Sequence, residues 1–374
     1  MSTRTYIGKF EDIVRDRFEV ARAERGDRKA IGWISDFVPL EVVYAAGMLP
    51  VRVVGTGGLT PRASAVLYSN NCSFVCSYVE EGLKGTYDFL AGFVAADSCM
   101  QNRRGFDVWS NHVKTPFVHL LNVPNSVSEL TRGFFRNEVR VFKERLEEYF
   151  AVDISSGSLS RAVGVYNRTR SLLKQLALMR TTTPPRLSGT EALVVSTAGT
   201  FMDPERYNKL LEELVAELSR GQVESAGPDG VRLLLVGSEV DDMEFVRLLE
   251  GSGGVVVADD LCTGTRYCRE QVDTTGDLLG ALSDYYLTRS PCPRMSPAMV
   301  RLERIGEIAK SLKVDGVIFQ KIKWCHIHGG SCPVVKDYVE GLGLPFLLLE
   351  REYHLAGSGQ LKTRVEAFYE MVRR

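Results

Sequence analysis

Apolar residues along this chain fall into two alternating patterns. Short apolar runs bounded by turn residues predict strands over 30–35 (AIGWIS), 49–55, 92–96 and 115–124, and again over 231–239, 253–260, 315–320 and 344–350. Stretches with apolar residues three or four apart predict helices between them. In the first half these cover 39–47, 77–85 and 100–113, with Gly47 as a C-cap. Two long helices follow, over 126–152 and 158–180, the second capped by Ser158 or Ser160. In the second half helices are expected over 204–221, from Met243, over 296–311, 333–343 and 359–372. The first thirty residues are charged and helical in pattern.

Strand–helix alternation of this kind implies a parallel, doubly wound sheet. Because it occurs twice, the fold is read as two Rossmann- or flavodoxin-like α/β domains joined by long helices. The segment TTTPPRLSG (181–189) breaks the helical pattern and marks the boundary, giving domains 1–185 and 186–374. A chain of 374 residues is long for one core and agrees with two.

A content of 44% hydrophobic and 25% charged residues is that of an ordinary globular protein. The net charge of −1 leaves no basic footprint for nucleic acid. No apolar run reaches the roughly 18 residues of a membrane helix. The N-terminus lacks the apolar core of a signal peptide. A cytoplasmic protein is expected, and its eight cysteines are then expected as free thiols.

Three of those cysteines occupy equivalent places. Cys72, Cys99 (after GFVAADS) and Cys325 (after VDGVIFQKIKW) each read as standing just beyond a strand. In open parallel sheets ligands bind at the carboxyl ends of strands. Cys72 and Cys99 are 27 residues apart and Cys325 lies 226 further on, unlike the compact spacing of a zinc motif. Three thiolates meeting there suit an iron–sulfur cluster with one iron left open. The backbone N–H groups at the start of each following helix are expected to face the sulfurs.

Several segments, in order, resemble the benzoyl-CoA reductase and 2-hydroxyacyl-CoA dehydratase family of subunits. They are 32–55 (with Pro39, Glu41, Ala46 and Gly47), the two-cysteine block 71–109, VVVADDLCTGTRYC (255–268), the C-terminal cysteine block 314–353 and the tail 359–368. The resemblance implies a subunit that pairs with a related second subunit and carries an oxygen-sensitive 4Fe–4S cluster on Cys72, Cys99 and Cys325. It further implies a separate ATP-hydrolysing iron–sulfur activator protein and a CoA thioester substrate reduced to a ketyl radical. The chain departs from the family where an acidic residue follows the second and third cysteines, since Met100 and His326 stand there.

The remaining chemistry is read around those three. Cys76 and Cys332 lie near proposed ligands, either packing beside them or extending the site to a double cubane, which takes about six thiolates. His326 and His328 are expected proton donors to a reduced substrate. His119, in an apolar strand, is read as a core residue. Glu80 and Glu81 are read as a solvated helix face, and Asp259 and Asp260 as turn chemistry. Gly55, Gly57 and Gly58 lack the dinucleotide fingerprint, and no GxxxxGK[ST] loop is present, so ATP hydrolysis is assigned to another protein. The expected function is the iron–sulfur subunit of an aryl-CoA reductase. The alternatives are a 2-hydroxyacyl-CoA dehydratase subunit, a homodimeric double-cubane reductase of small molecules, and a non-catalytic scaffold subunit.

Overall fold

The computed structural model describes residues 5–220, 230–289, 292–354 and 358–374. Residues 1–4 of the N-terminal stretch and Gly221 at the end of the helix expected over 204–221 lie outside them.

The chain opens with helices α1 (Thr5–Arg15) and α2 (Arg17–Arg25), then β1 (Ala30–Ile34), α3 (Leu40–Ala45) and β2 (Leu49–Arg52). Helices α4 (Pro61–Val66) and α5 (Ser73–Lys84) lead to β3 (Gly92–Ala96), α6 (Met100–His112) and β4 (Phe117–Leu121). The long α7 (Glu129–Phe150) and α8 (Ser156–Met179) follow, then α9 (Gly189–Ala198) and α10 (Pro204–Ser219). The second half runs β5 (Val231–Gly237), α11 (Met243–Gly251), β6 (Gly254–Asp260), α12 (Leu278–Thr288) and α13 (Met299–Ser311). It closes with β7 (Gly316–Ile322), α14 (His326–Gly341), β8 (Phe346–Arg351) and α15 (Ser358–Val372).

All eight expected strands are present, in two four-stranded parallel sheets ordered β2-β1-β3-β4 and β6-β5-β7-β8. Each sheet has the same winding: its first strand sits between the second and third. The chain therefore reverses direction across each sheet beside the central pair, the place where such sheets open a crevice at their carboxyl ends. The central strands are buried along their length, which explains their unbroken apolar runs.

Helices cover both faces of each sheet. In the first, α3, α7, α8 and α12 pack on one face, and α5 and α6 on the other. In the second, α11 and α15 take one face, and α13 and α14 the other. Elements also cross between the halves: α1 packs on α9 and α10, and α12 lies along α7. Glu41, at the start of α3, is fully buried and paired with the equally buried Arg170 of α8, while the Tyr286 hydroxyl of α12 donates to it at 2.8 Å. A buried ion pair of this kind holds only when its remaining lone pairs are also satisfied.

Several local expectations change. Ser155, not Ser158 or Ser160, caps α8, accepting from the Ser158 N–H at 3.1 Å. Helix α13 begins at Met299, three residues later than expected, and α14 begins at His326, seven residues earlier. Glu80 and Glu81 are buried rather than solvated. Glu80 accepts from the Ala63 N–H at 2.8 Å, and Glu81 from the Thr56 and Thr86 hydroxyls at 2.8 and 2.7 Å, so both tie the α4 loop to α5. Gly47, with φ of +73°, ends α3 as expected. His119 is a buried core residue in β4. Among the described residues no helix is long and apolar enough to cross a membrane.

Candidate functional site

The carboxyl ends of the two sheets meet over a cavity of about 210 Å³, and Cys72, Cys99 and Cys325 all line it. Each occupies the same structural position, the N-cap of a helix: Cys72 of α5, Cys99 of α6 and Cys325 of α14. Cys99 and Cys325 follow β3 and β7 closely. Cys72 does not directly follow a strand as the sequence suggested, since α4 and a turn intervene after β2. What the three share is the helix start, where backbone N–H groups are unpaired.

At one of the three starts such an N–H bonds the cysteine sulfur directly. The N–H of Asn102 donates to Cys99 Sγ at 3.4 Å, and that of Gln101 also points at it. Cys72 and Cys325 form no such cap bond, although the N–H groups of Phe74 and Val75 act to lower the pKa of Cys72 and the His328 N–H and Ser238 hydroxyl that of Cys325. Burial nevertheless holds the thiols protonated. It pushes Cys99 up to about 11 and raises Cys72 and Cys325, with the neighbouring sulfurs of the trio adding to the rise at Cys72 and Cys99. Burial opposes the thiolate at all three, so a bound cation is what would let them ionise together.

The surroundings are charged. Below the cavity, Arg266 and Arg301 are both buried and share one carboxylate, Asp260, at 3.1 Å each. Asp36, on the cavity wall, balances the second guanidinium, and Arg266 also reaches Cys262 Sγ at 3.2 Å. Asp260 is therefore part of an ion network, and Asp259 accepts from the Thr265 N–H at 2.7 Å, as turn chemistry requires, while also pairing with the buried Arg180 at 2.6 Å.

Asp36 and Glu239 face the cavity as well. Glu239 pairs with Arg52 at 2.8 Å across the two halves. Ser35 and Trp324, beside the cavity and beside Cys325, are non-glycine residues held at positive φ (85° and 64°). Such backbone strain clusters at functional sites.

The two histidines differ. His326 is exposed at the mouth of the cavity. His328 is buried, and burial together with Arg301 and Arg266 keeps its imidazole well below the usual value and hence neutral. Cys76 lines a different opening, beside Trp324 and His354. Cys332 packs in the core under β7. Neither borders the cavity. Two cysteines that the sequence did not single out, Cys262 and Cys292, do border it. Their spacing carried no motif, and only the fold brings them in.

Three thiols at helix N-termini on one cavity, Cys72 buried and Cys99 and Cys325 half-buried, fit an iron–sulfur cluster. Soft thiolates select such groups. Among the described residues, no three His, Cys, Asp or Glu side chains group around a single ion position. A cluster takes one thiolate per iron, so its ligands border a space instead.

A family model described as 2-hydroxyglutaryl-CoA dehydratase, D-component, matches residues 36–372. The chain is 25% identical to the (R)-phenyllactyl-CoA dehydratase beta subunit of Clostridium sporogenes over 370 residues, 98% of each chain. It is 29% identical to the putative dehydratase subunit YjiM of Escherichia coli (strain K12) over 351 residues, 91% of each. With a benzoyl-CoA reductase subunit of Thauera aromatica it shares 28% identity over 378 residues, 97% of this chain and 96% of that one.

Proposed function

Because the chain belongs to the 2-hydroxyglutaryl-CoA dehydratase D-component family, which embraces benzoyl-CoA reductase and 2-hydroxyacyl-CoA dehydratase subunits, we propose that it is the iron–sulfur subunit of an ATP-dependent acyl-CoA enzyme. The reaction assigned is that of an aryl-CoA reductase. The observation that carries the reading is the convergence of Cys72, Cys99 and Cys325, three helix N-caps from both halves, on one buried cavity.

A 4Fe–4S cluster on these thiolates would supply single electrons at low potential to a thioester-activated acyl group. The chain's own residues do the rest. The Asn102 N–H hydrogen-bonds the Cys99 sulfur and so tunes its basicity. Arg266 and Arg301 stand beneath the cavity, tied to Asp260. His326, at the mouth, is the proton donor of this reading. His328, held neutral and enclosed, offers only a neutral imidazole. A single cubane is favoured over a double one because Cys76 and Cys332 face elsewhere.

The relatives are themselves named as subunits, which supports pairing with a related second subunit. With no phosphate-binding loop in the sequence, a separate activator protein would hydrolyse ATP. A cytoplasmic setting suits the eight free thiols.

A second reading, a 2-hydroxyacyl-CoA dehydratase subunit, is favoured by the family model's description and by the phenyllactyl-CoA relative. Products separate the two: ring reduction with net electron uptake, against an enoyl-CoA with none. The proposal as a whole is tested by iron and acid-labile sulfide after strictly anaerobic purification. About four of each per chain are expected, lost when Cys72, Cys99 or Cys325 becomes serine. Reproducible absence of iron after reconstitution would point to a scaffold role.

A further inference from the structure

Beside the cysteine-lined cavity is a second, smaller chamber of about 70 Å³. The two have Ser35, Asp36 and Cys262 in common. Four side-chain atoms of the chamber's lining are buried without a hydrogen-bond partner: Trp33 Nε1, Ser35 Oγ, Arg52 Nε and Arg289 Nη1. None of the four residues is more than 9% exposed. Three of the atoms are obligatory donors and the fourth is a hydroxyl. Leaving such groups buried and unpaired is unfavourable.

The two guanidiniums are fixed from behind. Arg289 donates through Nη2 to the Asp36 carbonyl and lies against the rings of Tyr286, Tyr267 and Tyr285, 4.9, 5.5 and 5.7 Å from their centroids. Ring faces steady a cation without removing its charge. Asp36 acts on Arg266 as well as on Arg289, so it does not neutralise both. Arg52 pairs with Glu239 at 2.8 Å through Nη2, which leaves its Nε–H toward the chamber. Water meets this lining only in part. Each water brings two hydrogens of its own, and of the four orphaned atoms only Ser35 Oγ can accept one. A carboxylate brings none, offers about four lone-pair sites, and makes charge-assisted bonds to both guanidiniums.

We propose that the chamber binds a small carboxylate, seated on Arg289 and Arg52 with Trp33 and Ser35 completing its hydrogen bonds. The volume is that of about five to seven water-sized positions, which suits a group of about four to six non-hydrogen atoms. The carboxylate is either a free acid or the far end of an acyl group that enters past Ser35 from the neighbouring cavity. The second source rests on the acyl-CoA reading above, and the first does not.

The test uses the anaerobically purified full-length chain, with acetate as probe and acetamide as its neutral counterpart. Titration calorimetry should show acetate binding at least about tenfold more tightly than acetamide. Acetate should also change the tryptophan emission, and Trp33→Phe should lose that change. Arg289→Gln is expected to weaken acetate by about tenfold or more and to leave acetamide unaffected. Thioesters tell the sources apart. Displacement of acetate by succinyl-CoA but not by butyryl-CoA marks an acyl end, and acetate binding untouched by both marks a free acid. Absence of acetate binding, equal affinity for acetate and acetamide, or equal acetate affinity in wild type and Arg289→Gln overturns the inference. The wild-type comparison stands even if the variants fail to fold. Iron is measured on the same samples: iron without acetate selectivity removes the chamber assignment alone, and acetate selectivity without iron removes the cluster reading alone.

Discussion

His119 sits in the middle of β4 with its ring stacked on Phe142 and Phe117, centroids 5.1 and 6.4 Å away. Burial first, and Arg145 second, lower its pKa to about 4. An unfolded histidine titrates near 6.5, so between pH 6.5 and 4 the unfolded chain binds a proton that the folded chain refuses. Stability is therefore lost as pH falls through that window and is unaffected above it. The contribution is about 2 kcal/mol at pH 5 and about 3 kcal/mol below pH 4. His119→Phe, which keeps a flat ring between the same neighbours, is expected to flatten the pH dependence of urea unfolding between pH 7.5 and 5 by about that 2 kcal/mol. An identical slope in wild type and variant would show that the proton is taken up elsewhere. The Glu80 and Glu81 pair teaches the same thing at this scale: a charge in the sequence tells nothing of its environment until the backbone donors that surround it are known.

Helices α5 and α6 carry two of the site cysteines at their starts, and reciprocal glycine–aromatic contacts set how closely they lie. A Cβ on Gly82 of α5 would stand 2.5 Å from the Trp109 ring of α6, and one on Gly105 of α6 would stand 1.8 Å from the Tyr78 hydroxyl of α5. Trp109 is fully buried and stacked on Phe93 at 4.4 Å, so it has nowhere to retreat. Gly82→Ala is expected to cost about 1–3 kcal/mol by overpacking and to lower the iron bound per chain by shifting Cys72 against Cys99. Gly133→Ala in α7, where nothing lies within 4 Å, is the control. It should gain up to about 1 kcal/mol from helix propensity. Melting and iron analysis of both variants check this, and equal behaviour would mean that the helix spacing does not govern the site.

Elements of this kind were unevenly legible in the sequence. The strands were plain because buried parallel strands are apolar throughout. Helices α9 and α12 were not expected, because they too are buried on most sides and show no amphipathic period. Helix α14 was expected to begin only at Pro333, yet it starts seven residues earlier and contains both Gly329 and Pro333. That early start makes Cys325 an N-cap. The three thiols were found by their places in the strand–helix pattern. Cys262 and Cys292, on irregular segments, were brought to the same wall by folding alone.

At the scale of the whole molecule the cavity belongs to neither sheet. Cys72 and Cys99 come from the first half and Cys325 from the second, and the seam between the halves is held by shared hydrophobic clusters together with polar links near the cavity. The buried Arg52–Glu239 pair spans it at 2.8 Å, and the Tyr353 N–H donates to the Ser73 hydroxyl at 2.9 Å. A group bonded to thiolates from both sides would add cross-links there and, binding only the folded chain, would stabilise it by mass action, about 4 kcal/mol at a thousandfold excess over the dissociation constant. Anaerobic melting of the loaded chain is therefore expected several degrees above that of the same chain stripped by a chelator. Cys325→Ser, which removes the second half's anchor, should melt with the stripped protein whether or not iron is offered. Hydrogen exchange locates the effect: loading should slow exchange at the starts of both α6 and α14. Protection confined to α6, with unchanged melting, would mean that the group is held by the first half alone and that the two sheets meet for some other purpose.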